Sequence, residues 1–204
     1  MLIPFLHTDP SKVALLLNRS YVVKLPVEAF QCLMAALSRL DSEVFCSLPQ
    51  LYGELFGELN TRKKLYGHAH HPFVRDWICK SQWAWDWTLQ FAIAACHEYA
   101  KRRLERVGKV CEHSVLQKLY ILQKHRPHFD NIEPLVPPLP KLARPYPWAS
   151  NVFAARTIEY RKYFAETKNK PMWQFLYEPD TRRPHWMPPR TPEQEEIVKR
   201  HSRK

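Results

Sequence analysis

Apolar residues recur along most of the chain at the three- and four-residue spacing that is typical of amphipathic helices. Asp9 followed by Pro10 predicts the start of a short helix that runs to Leu17, because aspartate is a favoured cap and proline suits the first turn. A second helix is predicted over residues 26–40. The same spacing predicts further helices over residues 51–59, 72–106, 112–123 and 151–167.

Proline and glycine positions set the expected ends of these helices. Pro26 is expected in the first turn of the second helix, and Gly108 is expected to end the long helix. Residues 127–147 contain seven prolines, so no regular helix is predicted there. From Thr191 onward the sequence predicts either an isolated charged helix with a cap or a disordered tail.

The composition is that of one globular domain. The 204 residues are 45% hydrophobic and 13% aromatic, which is enough to bury a core. The predicted fold class is all-α, with a single compact helical domain over residues 1–189, long Pro-rich connections and a charged, basic tail over residues 190–204. Only four glycines occur and no glycine-rich phosphate loop is present, so nucleotide binding through such a loop is not expected and no cofactor is predicted.

The net charge favours a polyanionic partner. Lysine and arginine number 31 against 20 acidic residues, which gives a formal charge of +11 and favours double-stranded DNA. No membrane partner is predicted, because the apolar runs fall short of the ~20 residues that cross a bilayer and the first residues lack signal-peptide features. Five widely spaced cysteines without a Cys-x-x-Cys pair indicate reduced thiols and a cytoplasmic location.

Lys24, Glu28 and Gln31 form the first candidate for chemistry. Lys24 lies in an apolar run, and the spacings of four and three residues place all three side chains on one face if the helix begins by Lys24. Polar groups among core-forming residues are candidates for acid–base or nucleophilic roles. An ordinary solvated helix face has the same pattern, and both interpretations stay open.

Three histidines directly before Pro72 form the second candidate. His68, His70 and His71 lie at a predicted helix N-terminus, where free N–H groups favour an anion, so they are candidates for phosphate contacts or proton transfer. Histidines that merely cap or pack in a loop are the alternative. The cluster lacks the second half of a usual zinc pattern, so no metal site is predicted.

Aromatic and basic residues follow on the long helix. Four tryptophans between positions 77 and 87 could stack on an extruded base, but large aromatics at helical spacing favour a packed core. Lys101, Arg102 and Arg103 are candidates for phosphate contacts, and a solvated face is again the alternative.

Taken in order, these residues resemble a group of bacteriophage proteins of about this length. The resemblance extends over residues 7–186. It is carried by the following residues: Asp9 and Pro10, Val22-Val23-Lys24-Leu25-Pro26-Val27-Glu28 with Gln31, His71-Pro72 with Trp77, Glu98-Tyr99, Gly108-Lys109, and Tyr160-Arg161-Lys162-Tyr163 with Trp173.

A more remote resemblance is to the phage pyrimidine-dimer DNA glycosylase (endonuclease V) fold. It implies a compact all-α body that flips a nucleotide out of duplex DNA. Residues 21–26 match the stretch that carries the catalytic glutamate of that family, and Lys24 lies near the matching position. The nucleophile of that family is the α-amine of an N-terminal threonine, whereas this chain has Leu2, so the resemblance implies the fold without that chemistry.

The most suggestive resemblance is to the amino acid:DNA transferases of thymine hypermodification. It implies transfer of an amino acid to pyrophosphorylated 5-hydroxymethyluracil in DNA, with base flipping, in the cytoplasm of an infected bacterium. The partners would be double-stranded DNA, a free amino acid or amine, and pyrophosphate. The candidate catalytic residues are Lys24, Glu28, His7 and Asp9. The candidate substrate- or DNA-binding residues are Arg19, Gln31, His70, His71, Trp77, Glu98, Lys101, Arg103 and Arg161.

Two other function classes stay open. One is a DNA glycosylase or lyase that acts on a flipped or damaged base, with the Lys24 amine as nucleophile and Glu28 as its acid–base partner. The other is a non-catalytic basic DNA-binding protein that relies on dispersed contacts between its cations and the phosphate backbone.

Overall fold

The structure is a computed structural model that describes residues 4–56, 72–138, 152–168 and 184–202. These residues contain helices and no strand, which confirms the predicted all-α class. The helices are α1 (Pro10–Leu15), α2 (Arg19–Leu40), α3 (Ser42–Phe56), α4 (Pro72–Ile78), α5 (Gln82–Val107), α6 (Leu116–Lys124), α7 (Val152–Lys168) and α8 (Pro192–Ser202).

The start of α1 was predicted correctly, and the start of α2 was not. Asp9 caps α1 as predicted. However, α2 begins at Arg19, where the side chain of Asn18 accepts the N–H of Tyr21 at 2.9 Å. Pro26 therefore lies inside the helix and is buried, instead of in its first turn. An interior proline costs about 3 kcal/mol, and we attribute its tolerance here to the cap and to the buried face of the helix.

The single helix predicted over residues 72–106 is two helices, α4 and α5. The Oγ of Ser81 accepts the N–H of Trp83 at 3.1 Å, which caps α5, and the same hydroxyl donates to the carbonyl of Glu133. Gly108 ends α5 as predicted, with a left-handed φ of 66° and its N–H donating to Leu104 O at 2.8 Å.

The third predicted helix, over residues 51–59, begins earlier than expected. In the structure α3 starts at Ser42 and passes through Pro49, because the carboxylate of Asp41 accepts the N–H of Val44 at 3.0 Å. The predicted residues 57–59 lie outside the described residues.

The core lies between α2 and α5, which form the main helix pair. Helices α1 and α6 pack on α5, while α3 and α4 pack on α2. The core interpretation of the tryptophans is confirmed, since Trp77, Trp85 and Trp87 are buried and Trp83 packs edge-on against Trp77 at 6.3 Å. The four rings therefore fill the body of the protein.

The N-terminal segment and α7 close one side of this core. The ring of Phe5 lies 5.0 Å from that of Trp87 and 6.4 Å from that of Tyr160. The hydroxyl of Tyr160 donates to Pro138 O at 2.6 Å, which ties α7 to the Pro-rich connection. Residues 127–138 form no helix, as predicted, and residues 139–147 lie outside the described part of the chain.

Of the two alternatives predicted for the tail, a capped helix or a disordered segment, the structure shows the capped helix, α8. Thr191 and Gln194 cap it reciprocally, with the Thr191 N–H donating to Gln194 Oε1 at 2.9 Å and the Gln194 N–H donating to Thr191 Oγ1 at 3.3 Å. The five cysteines are free thiols, as predicted.

Helix α2 is long and apolar enough to meet the length and composition criterion for a membrane span. Its mean hydropathy reaches 1.2 over an 18-residue window. The prediction that no run approaches this criterion was therefore wrong for α2. Of that window, 56% is buried within the protein, and a central core helix of a folded protein meets the same criterion.

Candidate functional site

The polar face predicted on α2 exists. Because the helix begins at Arg19, Lys24 and Glu28 lie on consecutive turns, and Lys24 Nζ is 2.9 Å from Glu28 Oε1. The lysine side chain is 64% exposed and the carboxylate is 17% exposed. Gln31 is half-buried one turn further on. The carboxylate is thus partly shielded from water while its cationic partner reaches the surface.

Tyr21, which was not among the predicted site residues, lies near Glu28. Tyr21 is seven residues before Glu28, on the same side of α2, and the ring of Phe164 on α7 lies 5.8 Å from its ring. Burial raises the pKa of Tyr21 to about 12, with smaller contributions from Tyr163 and from Glu28. Tyr21 is therefore a neutral hydroxyl at physiological pH.

His7 is held by contacts to the residues on either side of it. Trp87 Nε1 donates to Thr8 O at 2.8 Å, and Arg161 Nε on α7 donates to Leu6 O at 3.1 Å. His7 Nδ1 accepts the N–H of Asp9 at 2.9 Å. Because Nδ1 acts as an acceptor, the proton of the neutral ring resides on Nε2.

The environment of His7 favours the neutral ring. Its pKa is lowered below 6.5 by burial first and by the cation of Lys12 next, with Arg161 adding to the effect and Asp9 opposing it. A neutral His7 with its proton on Nε2 can donate a hydrogen bond to an anion. The acid or base role of His7 stays a prediction.

Arg161 is a half-buried cation beside the N-terminal segment. Burial lowers the pKa of its guanidinium, which nevertheless stays charged at neutral pH. Its central carbon lies 6.0 Å from the centroid of the Trp186 ring, a cation–π contact. Helix α7 thus carries Arg161 toward His7, and one turn later carries Phe164 toward Tyr21 on α2.

Asp9 has a structural function in addition to its predicted catalytic one. Its Oδ1 accepts the N–H of Ser11 at 2.9 Å and the hydroxyl of Ser11 at 2.6 Å, which completes the cap of α1. The hydroxyl hydrogen bond is the main reason that the pKa of Asp9 is lowered. The carboxylate is therefore ionised and already engaged.

Two of the predicted binding residues lie in the interior. Glu98 is 5% exposed and pairs with Arg102, whose two Nη atoms donate to Leu17 O at 2.7 Å and Leu15 O at 3.3 Å. Trp77 is buried and donates from Nε1 to Leu135 O at 3.1 Å. Both side chains support the helices that carry the site.

An apolar cavity beside Trp77 is too small for a base. It measures about 10 Å³, room for no more than one water molecule. Phe5, Trp87 and Tyr160 are among the side chains that line it. The cavity therefore reflects packing at the junction of the N-terminal segment, α5 and α7.

The predicted basic contacts lie toward the surface. Arg19 at the start of α2 and Lys101 on α5 are exposed, and Arg103 is half-buried. His70 and His71 lie outside the described residues. In the part of the chain that the structure describes, no three His, Cys, Asp or Glu side chains are grouped to hold a metal ion.

Searches for related proteins add no further assignment. No protein-family model, curated protein or solved structure matches this chain.

Proposed function

We propose that this protein modifies bases in DNA, by transferring an amino acid to pyrophosphorylated 5-hydroxymethyluracil. The observation that carries the proposal is the contact between Lys24 and Glu28 at 2.9 Å on a partly exposed face of α2. It places a shielded carboxylate and an accessible cation side by side. A reaction that removes a proton and expels an anion needs both groups.

The chemistry assigns one task to each group. The ammonium of the incoming amino acid loses a proton to Glu28, and its nitrogen attacks the methylene carbon on C5 of the base. The new C–N bond forms as the C–O bond to pyrophosphate breaks, and pyrophosphate leaves with the electron pair. Lys24 and Arg161 are cations that would stabilise this leaving group, and His7 would donate its Nε2–H to it.

The charge of the chain supports DNA as the carrier of the substrate. A formal charge of +11 attracts the phosphate backbone from solution, and exposed cations such as Arg19 and Lys101 can neutralise individual phosphates. Such contacts position the protein without reading sequence, which suits an enzyme whose specificity lies in a modified base.

Mass spectrometry of nucleosides tests the proposal. The full-length protein is incubated with three DNAs and an amino-acid mixture: unmodified DNA, ultraviolet-irradiated DNA, and DNA carrying pyrophosphorylated 5-hydroxymethyluracil. We expect a new nucleoside only from the third DNA, heavier than 5-hydroxymethyldeoxyuridine by one amino acid minus water. Release of pyrophosphate should match the nucleoside in amount.

The other outcomes identify the alternatives. Base loss from irradiated DNA, with a covalent adduct that borohydride traps, would replace the proposal by a glycosylase or lyase that uses the Lys24 amine. Tight, salt-sensitive binding without any new nucleoside would replace it by a non-catalytic DNA-binding protein.

A further inference from the structure

The loop between α5 and α6, residues 108–115, displays an apolar side chain to solvent. Val110 is 81% exposed, more than any other large apolar side chain in the described residues. Val107, the last residue of α5, is 42% exposed, and Val23 on α2 is 47% exposed. Val110 therefore presents an aliphatic side chain almost fully to solvent on a protein with a formal charge of +11.

The α5–α6 loop is fixed against the part of α2 that carries Lys24. His113 Nε2 lies 2.9 Å from the carbonyl oxygen of Val23. The ring of His113 also packs edge-on against that of Tyr99, with centroids 4.9 Å apart. Val110 therefore projects from a supported loop that touches α2 one residue before Lys24, at the edge of the candidate site.

Exposed cations lie close to Val110 along the sequence. Between residues 101 and 112 the chain has five lysines and arginines against two glutamates. Lys101, Arg106 and Lys109 are exposed, and Lys109 is the direct neighbour of Val110. An apolar tip flanked by cations complements a duplex, whose charged backbones enclose an apolar stack of bases.

We propose that the α5–α6 loop inserts Val110 into the base stack of duplex DNA, next to the nucleotide that is extruded toward Lys24 and Glu28. This inference rests on the proposed function, because a base must leave the stack before its C5 substituent can reach the site. Aliphatic wedges compensate for lost stacking in other proteins that distort DNA, and Val110 would have this function here.

Fluorescence of 2-aminopurine tests the insertion. The 2-aminopurine is placed beside a pyrophosphorylated 5-hydroxymethyluracil in a short duplex, and its fluorescence rises when the stack opens. We expect wild-type protein to raise the fluorescence and Val110→Ser to remove most of that rise, with about a 5-fold loss of affinity. For Val110→Ser, the slope of log affinity against log salt concentration should stay unchanged. Lys109→Gln should lower the magnitude of this slope by about one.

Ile132→Ser is the matched control. Ile132 is a 64% exposed aliphatic residue outside the α5–α6 loop, so its replacement should leave the fluorescence rise and the affinity unchanged. An equal rise with Val110→Ser and wild-type protein would overturn the insertion, even if the protein transfers amino acids. A rise that depends on Val110, without amino-acid transfer, would overturn the proposed function and retain the insertion. No binding to DNA would overturn both.

Discussion

His113 shows how one side chain can make stability depend on pH. The residue is buried, its Nε2 lies 2.9 Å from Val23 O, and its Nδ1 accepts the N–H of Val115 at 3.4 Å. This arrangement requires the neutral ring with its proton on Nε2, since a proton on Nδ1 would face the Val115 N–H. Burial lowers the pKa of His113 below 6.5, and the hydrogen bond to Val23 opposes that shift only in part.

We predict that the free energy of unfolding falls as the pH drops below 6.5. In that range the unfolded chain binds a proton at His113 that the folded chain does not, so acid favours unfolding until the lowered pKa is passed. The test is urea denaturation at pH 5 and pH 8 of wild-type protein and His113→Gln. The variant should be less stable at pH 8, by about 1–2 kcal/mol, and should lose less stability on acidification. Equal pH dependence of the two proteins would contradict this account of His113.

Single residues also show which parts of the site the sequence could predict. Lys24 and Glu28 are four residues apart in one helix, so their contact follows from local geometry. The contact between Arg161 and the Leu6 carbonyl joins positions 155 residues apart, and local spacing holds no information on it. For Tyr21 the sequence was ambiguous. Its seven-residue spacing to Glu28 places both residues on one side of a helix, but the same spacing is equally typical of core packing.

At the scale of helices, Arg102 on α5 pairs with Glu98 on the same helix and also links α5 to the end of α1. Both side chains are at most 10% exposed, and Arg102 is also the donor to the carbonyls of Leu15 and Leu17. One guanidinium thus neutralises a buried carboxylate and satisfies carbonyl groups at the α1–α2 connection, where a helix end leaves acceptors unpaired. The helix that carries Lys24 begins two residues after Leu17, so this contact also helps to position the site.

We predict that Arg102→Ala lowers the free energy of unfolding by about 3–5 kcal/mol, because it removes the guanidinium that pairs with the buried carboxylate of Glu98. Arg106→Ala, which removes an exposed cation one turn later on α5, should change stability by less than about 0.5 kcal/mol. Chemical denaturation of the two variants beside wild-type protein measures both effects. A loss of stability with Arg102→Ala no larger than that with Arg106→Ala would show that the buried pair has little structural importance.

The helix boundaries show where reading from sequence succeeded and where it failed. The ends marked by Asp9 and Gly108 were predicted, since a cap and a left-handed glycine are encoded by one or two residues. The break before α5 was missed, because the hydrogen bond from Ser81 to the Glu133 carbonyl spans 52 residues. The start of α2 was assigned to Pro26 because proline is a strong signal, but the Asn18 cap and the buried face of α2 outweigh it.

At the scale of the whole molecule, segments that are distant in the sequence contact α2 near Lys24 and Glu28. Arg161 on α7 donates to Leu6 O next to His7, and Phe164 on the same helix packs against Tyr21 on α2. The α5–α6 loop reaches the same region of α2 through His113. The all-α class and the polar face of α2 were predictable, whereas this convergence of three distant segments depends on tertiary packing.

The central claim is that Glu28 acts in transfer of an amino acid to DNA, and a single-turnover comparison tests it most directly. Wild-type protein, Glu28→Gln and Glu195→Gln are mixed with DNA carrying pyrophosphorylated 5-hydroxymethyluracil and an amino-acid mixture, and the modified nucleoside is quantified by mass spectrometry. Glu195 is an exposed carboxylate in the first turn of α8, so its replacement serves as the control. DNA affinity is measured in the same samples.

We expect wild-type protein and Glu195→Gln to form the nucleoside at equal rates. Glu28→Gln should be slower by about 100-fold or more, the usual contribution of a general base, with DNA affinity preserved. The folded state should be retained, since an i,i+4 ion pair whose lysine is 64% exposed contributes at most about 1 kcal/mol. No nucleoside from wild-type protein, or equal rates with Glu28→Gln, would contradict the account.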